Sequence, residues 1–447
     1  MTTIAVTASM LSAAIVAAAV DEDLLPGRRV LVTVNEAAIP EVMAGVADAP
    51  GFESLASRFD AVLDLNEAVA PHLPGSVVAG DSHARAARAR LAEMAGGPVS
   101  RLVLASLDSE VSMTLARMFP EARIDLVVDR LVAYGPTPRS IPRSVTERVE
   151  RVVHADLVPG AQPRQLVEFG VETVTVGSPA IRTVIAGLAG SQAPTPGDEA
   201  LILGERWGDA GVLTGDEEDR LHTRMVDAAA DAGHHAIAFR PHPHARPTFP
   251  AAIVARAAER SLDFRLMATA DPVEVFYART PPSAVIGCSS TALATASAIF
   301  GLPAFSVGTA DVARAITTPD DPSRVALALT RATVSSLDDG QHPPLDVPVA
   351  AFLDVVVDQM RPDVLRRADA AAHAVVSQCA GADDFLVPPS SGPRAPSRHR
   401  PQVTGARRLL GRVGASGAGR RLRSARNVLA ALGFSARLRT ASSRRRD

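Results

Sequence analysis

The sequence contains no lysine, only two cysteines and few aromatic residues. All 46 basic residues are arginine, and phenylalanine, tyrosine and tryptophan make up 4% of the chain. Two cysteines, Cys288 and Cys379, are too few for a disulfide framework, which excludes a small disulfide-stabilised scaffold and predicts a reducing, cytoplasmic compartment. A disordered or fibrous protein is also excluded, because 47% of the residues are hydrophobic and the formal net charge is only −3.

A long membrane-spanning run is missing as well. The best candidate, IAVTASMLSAAIVAAAV near the start, follows no basic residue, is short for a membrane span and runs into Asp21. A first strand followed by a buried alanine-rich helix accounts for this segment better, so we expect neither a targeting segment nor a membrane span here.

Charge is distributed unevenly along the chain. Residues 390–447 contain 15 arginines and one aspartate, a net charge of +14, whereas the first 389 residues contain 31 arginines and 48 acidic residues, a net charge of −17. A basic tail of this kind points to a binding partner. Residues 420–434 predict a basic amphipathic helix suited to an anionic membrane, and a solvated disordered tail is the alternative. The acidic body argues against nucleic acid.

Short β-branched segments alternate with alanine-rich helical segments. The predicted strands are 29–34, 61–65, 101–107, 124–128, 172–176, 200–203, 235–239, 264–268, 283–288 and 303–307. This alternation predicts an α/β protein whose parallel sheets are covered by helices on both faces. A polar Pro/Gly-containing linker at 189–199 separates two Rossmann-like domains, 1–190 and 199–385, which face a cleft and are followed by the tail at 390–447.

In open α/β sheets, ligands bind at the carboxyl ends of the strands. The stretch AFRPHPHARP places Arg240 and His242 directly after a predicted strand. Prolines on both sides of His242 stiffen its backbone, which suits a group that must be aimed. An imidazole titrates near neutral pH and can donate a proton to a leaving phosphate. An ordinary proline-rich turn is the alternative.

A second strand end carries hydroxyl groups. In GCSSTALATA, the predicted strand ends at Gly287 and Cys288, and Ser289, Ser290 and Thr291 stand where a helix begins. A helix start offers free N–H groups to a phosphate, although one serine alone is also the usual helix cap. We expect His242 and this hydroxyl pair on neighbouring strands, in contact with the same anion.

A third strand end carries an acid. Asp129 follows the predicted strand IDLVV, before a Tyr-Gly-Pro turn. A carboxylate there would deprotonate an acceptor hydroxyl across the cleft, and a surface aspartate paired with Arg130 is the alternative. Together, the acid at this strand end and the groups at the other two strand ends predict a GT-B glycosyltransferase, in which two Rossmann-like domains face a cleft.

On these motifs the chain resembles the bacterial sialyltransferase and polysialyltransferase family. RPHP at 240–243 matches its His-Pro motif, GCSSTALATA at 287–296 matches its Ser-Ser motif, and the segment 126–144 resembles its acidic-motif region. The resemblance covers most of residues 1–385 and leaves out the tail.

The resemblance implies an inverting transfer from a CMP-sialic acid donor to a glycan acceptor in surface (capsule) polysaccharide synthesis, with no metal and no further cofactor. Asp129 would be the general base and His242 the general acid. The residues expected at the donor phosphate are Arg240, Pro243, Gly287, Ser289, Ser290 and Thr291. The cytoplasmic protein would sit at the inner face of the membrane. The acceptor, the linkage, polymerisation and the oligomeric state stay open.

One departure from the family pattern bears on activity. Where the family has two carboxylates and a glycine, this chain reads Val128-Asp129-Arg130. This departure motivates one alternative, a non-catalytic nucleotide-binding scaffold derived from such an enzyme. A second alternative is a CDP-glycerol glycerophosphotransferase, which shares the basic-His-Pro and Ser-Ser elements.

Overall fold

Two parallel sheets of similar topology form the framework of the protein. The computed structural model describes residues 2–36, 45–77, 82–190, 193–243, 250–267, 271–364 and 370–386. These residues form one seven-stranded and one six-stranded sheet, both within a single compact unit that extends to Ser390. The tail at 390–447, including the predicted helix at 420–434, lies outside the described residues, so its membrane role stays a prediction.

The first sheet is built from the first half of the chain. Its strands are β1 (Thr2–Thr7), β2 (Arg28–Thr33), β3 (Ala61–Asp64), β4 (Val99–Leu104), β5 (Arg123–Val128), β6 (Val149–Ala155) and β7 (Glu172–Val176). All pairs are parallel, in the order β3-β2-β1-β4-β5-β6-β7. The helices of this half are α1 (Met10–Asp21), α2 (Phe52–Ala56), α3 (Leu65–Ala68), α4 (Ser82–Met94), α5 (Glu110–Met118), α6 (Arg143–Thr146) and α7 (Ser178–Ala189).

The second sheet repeats this plan. Its strands are β8 (Ala200–Leu203), β9 (Ala236–Arg240), β10 (Asp263–Leu266), β11 (Ala284–Gly287), β12 (Ala304–Ser306) and β13 (Ser335–Ser336). They are parallel and ordered β10-β9-β8-β11-β12-β13. The helices are α8 (Gly215–Asp231), α9 (Ala251–Glu259), α10 (Val273–Arg279), α11 (Thr291–Ala298), α12 (Thr309–Ala315), α13 (Ser323–Thr333), α14 (Val349–Met360) and α15 (Ala370–Val376).

The apolar segment near the start forms β1 and α1, as the sequence predicts. Both elements are almost completely buried, and the small alanine side chains of α1 let it pack closely beneath the sheet. Within the described residues, no helix combines the length and apolar character needed to cross a bilayer.

The two halves also contact each other through polar groups. The Arg164 guanidinium lies 2.5 Å from the Asp354 carboxylate on α14, and Arg361 donates to the Thr137 carbonyl at 2.6 Å. The helix that follows the second sheet therefore packs back against the first half, which joins both sheets in one unit.

Candidate active site

The predicted site residues lie at the carboxyl ends of parallel strands. Asp129 follows β5, Arg240 ends β9, and Ser289 and Ser290 connect β11 to α11. This is the edge at which α/β sheets bind ligands.

One hydrogen bond joins the acidic segment, residues 129–131, to the hydroxyl turn, residues 287–291 between β11 and α11. The backbone N–H of Leu131, two residues after Asp129, donates to Thr291 Oγ1 at 3.3 Å. Thr291 is the first residue of α11 and follows Ser289 and Ser290 directly. The segment that carries Asp129 and the segment that carries the serines therefore meet at Leu131 and Thr291.

Asp129 is held from two sides. Its Oδ2 accepts from Ser9 Oγ at 3.0 Å, and its Oδ1 lies 3.5 Å from Arg130 Nε. Burial raises the pKa of Asp129, whereas the Arg130 charge and the Ser9 hydroxyl oppose the rise. Val128 is completely buried in β5 and carries no carboxylate. Asp129 is therefore the acid that this motif retains, and burial makes it a stronger base than an exposed aspartate.

Arg240 is a buried cation with unused hydrogen-bonding capacity. Its side chain donates through Nη2 to the Asp271 carbonyl, and the residue is 8% exposed. Within the described part of the chain, Nη1 is buried and has no hydrogen-bond partner. Leaving such a donor unsatisfied costs about 1–3 kcal/mol, which an anionic ligand oxygen would offset.

Glu274, which none of the sequence motifs contains, interacts electrostatically with Arg240. It is buried on α10, and its Oε1 accepts from Thr295 Oγ1 at 3.4 Å. Burial raises the pKa of Glu274, the charge of Arg240 opposes the rise, and the charge of Asp129 adds to it. Groups from the ends of β5 and β9 therefore share one electrostatic environment.

His242 and the hydroxyl turn are separated by one strand, contrary to the expectation of neighbouring strands. β8 lies between β9 and β11, so the two chain segments stand two strand spacings apart, about 10 Å. This correction has a simple origin, since the sequence does not reveal which strands pair. The half-buried His242 and the turn still lie at the same edge of the sheet.

Gly204 permits the close approach of β8 to the His242 backbone. Its N–H donates to the Arg240 carbonyl at 2.7 Å. A Cβ at position 204 would stand 3.0 Å from the Arg240 oxygen and 3.0 Å from the His242 nitrogen. Since both are backbone atoms, a side chain at this position would push the His-Pro segment away from the strand.

In the hydroxyl turn, Ser289 is buried, whereas Ser290 and Thr291 are half-buried. Ser290 is the N-cap of α11, and its Oγ accepts from the Ala292 N–H at 3.2 Å. The capping alternative is therefore correct for Ser290. Gly287 ends β11 and is buried, whereas Pro243 is exposed.

Sequence reasoning missed Glu205, which binds the backbone of this turn. Its Oε1 accepts from the Cys288 N–H at 2.8 Å and from the Ser289 N–H at 3.2 Å. Burial raises the pKa of Glu205 to about 7, and the two N–H groups oppose the rise. The signal was present, because Glu205 is an acid two residues after the end of a strand, and Asp129 was selected as an acid directly after one.

No group of three or more His, Cys, Asp or Glu side chains suitable for a metal ion occurs among the described residues. Metal independence stays a prediction, because the family resemblance is its only basis.

Comparison with solved structures finds similar architectures at low identity. The UDP-GlcNAc 2-epimerase of Methanocaldococcus jannaschii has 13% identity and a TM-score of 0.39, and the match covers 68% of this chain and 82% of that one. A glycosyltransferase of Rickettsia africae has 11% identity and a TM-score of 0.35 over 86% and 95% of the two chains. MurG of Acinetobacter baumannii has 11% identity and a TM-score of 0.37 over 83% and 98%.

The two parallel α/β sheets confirm the predicted GT-B fold class. Residues 111–309 match the family model of alpha-2,8-polysialyltransferase (POLYST), and this match identifies the protein as a glycosyltransferase. This segment contains Asp129, His242 and both serines, and it confirms the resemblance to the polysialyltransferase family. No curated protein matches the chain.

Proposed function

We propose that the protein transfers a sialic acid, or a related nonulosonic acid, from its CMP donor to a glycan hydroxyl, with inversion at the anomeric carbon. The family match supports the donor class, and the polar groups at the two strand edges support the division of roles. The acceptor is a surface polysaccharide extended at the inner face of the membrane.

The second sheet holds the donor phosphate. Arg240 contributes a buried N–H donor, Ser289 and Ser290 contribute hydroxyls, and α11 contributes the positive end of its dipole. His242, mounted against Gly204, is the general acid. These groups stabilise the negative charge that develops on the phosphate as the bond to the sugar breaks.

The first sheet activates the acceptor. The acceptor oxygen attacks the anomeric carbon and transfers its proton to Asp129. At the same time the bond from the anomeric carbon to the phosphate oxygen breaks, its electron pair stays on CMP, and His242 donates a proton to CMP. Burial helps Asp129 in this role, because a base is most effective when its pKa lies near the working pH.

The observation that carries this proposal is the hydrogen bond from Leu131 to Thr291. A base and a phosphate site act on one glycosidic bond only if their segments lie side by side, and this contact joins the segments that hold them. It links residues 160 positions apart in the sequence.

His242→Ala tests the proposal, and we expect at least a 100-fold loss of kcat with CMP-sialic acid, because general acid catalysis contributes about 10²–10⁴-fold. His235→Ala is the matched control, since His235 is exposed and precedes β9 at the opposite end of the strand. Mass spectrometry of the products measures both. Transfer from CDP-glycerol alone, or full activity of His242→Ala, would contradict the proposal.

One observation favours the non-catalytic alternative. Both carboxylate oxygens of Asp129 are engaged, one by Ser9 and one by Arg130, and Val128 replaces a second acid. A nucleotide-binding scaffold predicts that the wild-type protein binds CMP and shows no turnover with any glycan acceptor. Calorimetric CMP binding together with the product assay separates the two functions.

A further inference from the structure

The turn between β11 and α11 is fixed by a carboxyl group from a different strand. Glu205 follows β8, yet its Oε1 accepts from two successive N–H groups, those of Cys288 and Ser289. These N–H groups belong to the residue before the serine pair and to the first serine of the pair. A free turn of this kind would offer both N–H groups to an anion, so Glu205 occupies a position that a phosphate oxygen would otherwise take.

The position of this contact in the sheet is informative. β8 and β11 are adjacent, and the strand order reverses between them. In open α/β sheets this reversal is the place where ligands bind. The buried Glu205 therefore lies at the topological switch point of the second sheet, with the His242 backbone on one side and the serine turn on the other.

We propose that Glu205 is a positioning residue of the donor site: it fixes the backbone of Cys288 and Ser289, so that the donor phosphate contacts the serine hydroxyls instead of these N–H groups, and its charge sets the donor affinity. This inference rests on the proposed function for the identity of the ligand. It deepens that function by assigning a residue that the sequence motifs do not contain.

The groups around Glu205 determine how its charge depends on pH. On α8, the Glu218 charge adds to the rise that burial imposes on the pKa of Glu205. His222 accepts the Glu205 N–H at its Nε2 at 2.9 Å, and burial lowers the pKa of His222 to about 4, which keeps it neutral above that pH. On the turn, the Cys288 thiol has a pKa raised well above its usual value. Burial brings the pKa of Glu205 itself to about 7.

The sign of the effect follows from these contacts. As the pH rises through about 7, Glu205 becomes negatively charged beside the phosphate site and repels the donor. Donor affinity therefore falls with rising pH. A glutamine at position 205 keeps the oxygen that accepts the two N–H groups and removes the charge, whereas an alanine removes both.

The experiment compares Glu205→Gln and Glu205→Ala in the full chain, with Glu199→Gln as the control. Glu199 precedes the same strand at its opposite end and pairs with Arg265. The probe is the methyl ester of CMP, whose phosphodiester keeps one charge across this pH range. Titration calorimetry at pH 6 and pH 8 gives its affinity, hydrogen exchange of residues 284–293 reports the turn, and thermal melting checks folding.

For Glu205→Ala we expect faster exchange of the turn, because the oxygen that accepts its two N–H groups is lost. We also expect at least a tenfold weaker affinity at pH 6, because the turn no longer holds the serine hydroxyls in place for the phosphate. For Glu205→Gln we expect wild-type exchange at the turn. Its loss of affinity from pH 6 to pH 8 is expected to be at least about threefold smaller than in the wild type, since the added charge is absent. Glu199→Gln should follow the wild type in every measurement.

Two results overturn the inference: unchanged exchange of the turn in Glu205→Ala, or the same pH-dependent loss of affinity in Glu205→Gln as in the wild type. If the wild-type protein does not bind the probe at all, the proposed function is wrong. In that case the exchange comparison still decides whether Glu205 fixes the turn.

Discussion

The two sheets have the same strand order as far as the second extends, yet their carboxyl edges carry different chemistry. At the edge of the first sheet, Asp129 is bound through its side chain by Ser9 and Arg130. At the edge of the second, Glu205 binds backbone N–H groups and Arg240 keeps a buried donor without a partner among the described residues. The fold repeats, whereas the chemistry is set by a few residues after the strands.

This difference fits the two halves of a transfer reaction. A carboxylate of raised pKa suits proton abstraction, and a guanidinium with neighbouring hydroxyls suits an anionic leaving group. Changes at the first edge are therefore expected to affect the chemical step, and changes at the second edge are expected to affect donor binding.

Asp129→Asn gives the largest expected effect. We expect kcat to fall by about 10²–10⁴-fold, because asparagine keeps the size and shape of the side chain but cannot accept the proton. Donor affinity should change little, since the donor groups lie on the other sheet. The matched control is Asp108→Asn, because Asp108 is an exposed acid that follows β4 at the same edge. An equal loss of kcat in both variants, or an Asp129→Asn variant that loses only donor affinity, would contradict the proposed division of roles between the two sheets.

Ser289→Ala and Ser290→Ala sharpen the comparison from the second edge. Each should weaken binding of CMP by about tenfold or more, because a hydrogen bond to a charged group contributes about 1.5–3 kcal/mol. Ser290→Ala should also lower the free energy of unfolding by about 1 kcal/mol, since it removes the cap of α11.

Calorimetry and chemical denaturation measure these two quantities. Ser297→Ala is the control, because Ser297 lies exposed on the same helix. Should both serine variants bind CMP as the wild type does, the hydroxyl turn is only a helix start.

Arg130→Gln gives the smallest expected effect. The Arg130 charge opposes the rise in the pKa of Asp129, so its removal raises that pKa further. Because Asp129 acts in its ionised form, the acidic limb of the kcat/KM profile should move to higher pH. Activity at pH 6 should fall by about twofold to fivefold, the range of a partly exposed ion pair, with a smaller change at pH 8.

The matched control for this variant is Arg139→Gln, because Arg139 is also more than half exposed and lies 3.6 Å from a carboxylate, that of Asp363. An unchanged pH profile in Arg130→Gln would mean that Asp129 is not the group that titrates in the reaction.

Most strands are predictable from the sequence because apolar, β-branched segments of a parallel sheet are continuous. The sequence did not predict β6, because the charged residues Glu150 and Arg151 interrupt the apolar pattern in its first half. In the structure these charges are paired across the sheet, Glu150 with Arg101 at 2.7 Å and Arg151 with Asp125 at 2.5 Å. Such partners come from other strands, so no local pattern reveals them.

The same limit applies to the site. Asp125 and Asp129 are four residues apart, but Asp125 is buried between Arg101 and Arg151, whereas Asp129 faces a hydroxyl and one weaker ion pair. The strand-end rule selected Asp129 correctly as an edge residue. It did not find Ser9, whose contact with Asp129 spans 120 positions, or the order of strands that separates His242 from the serines.

A crystal structure of the full chain with CMP tests the central claim most directly. The account predicts one phosphate group bound by the His242 imidazole, the Ser289 and Ser290 hydroxyls and Arg240 Nη1, with Asp129 on the opposite side of the bond to be broken. CMP bound at another surface, or a phosphate that contacts the serines while the imidazole faces away from it, would contradict the account.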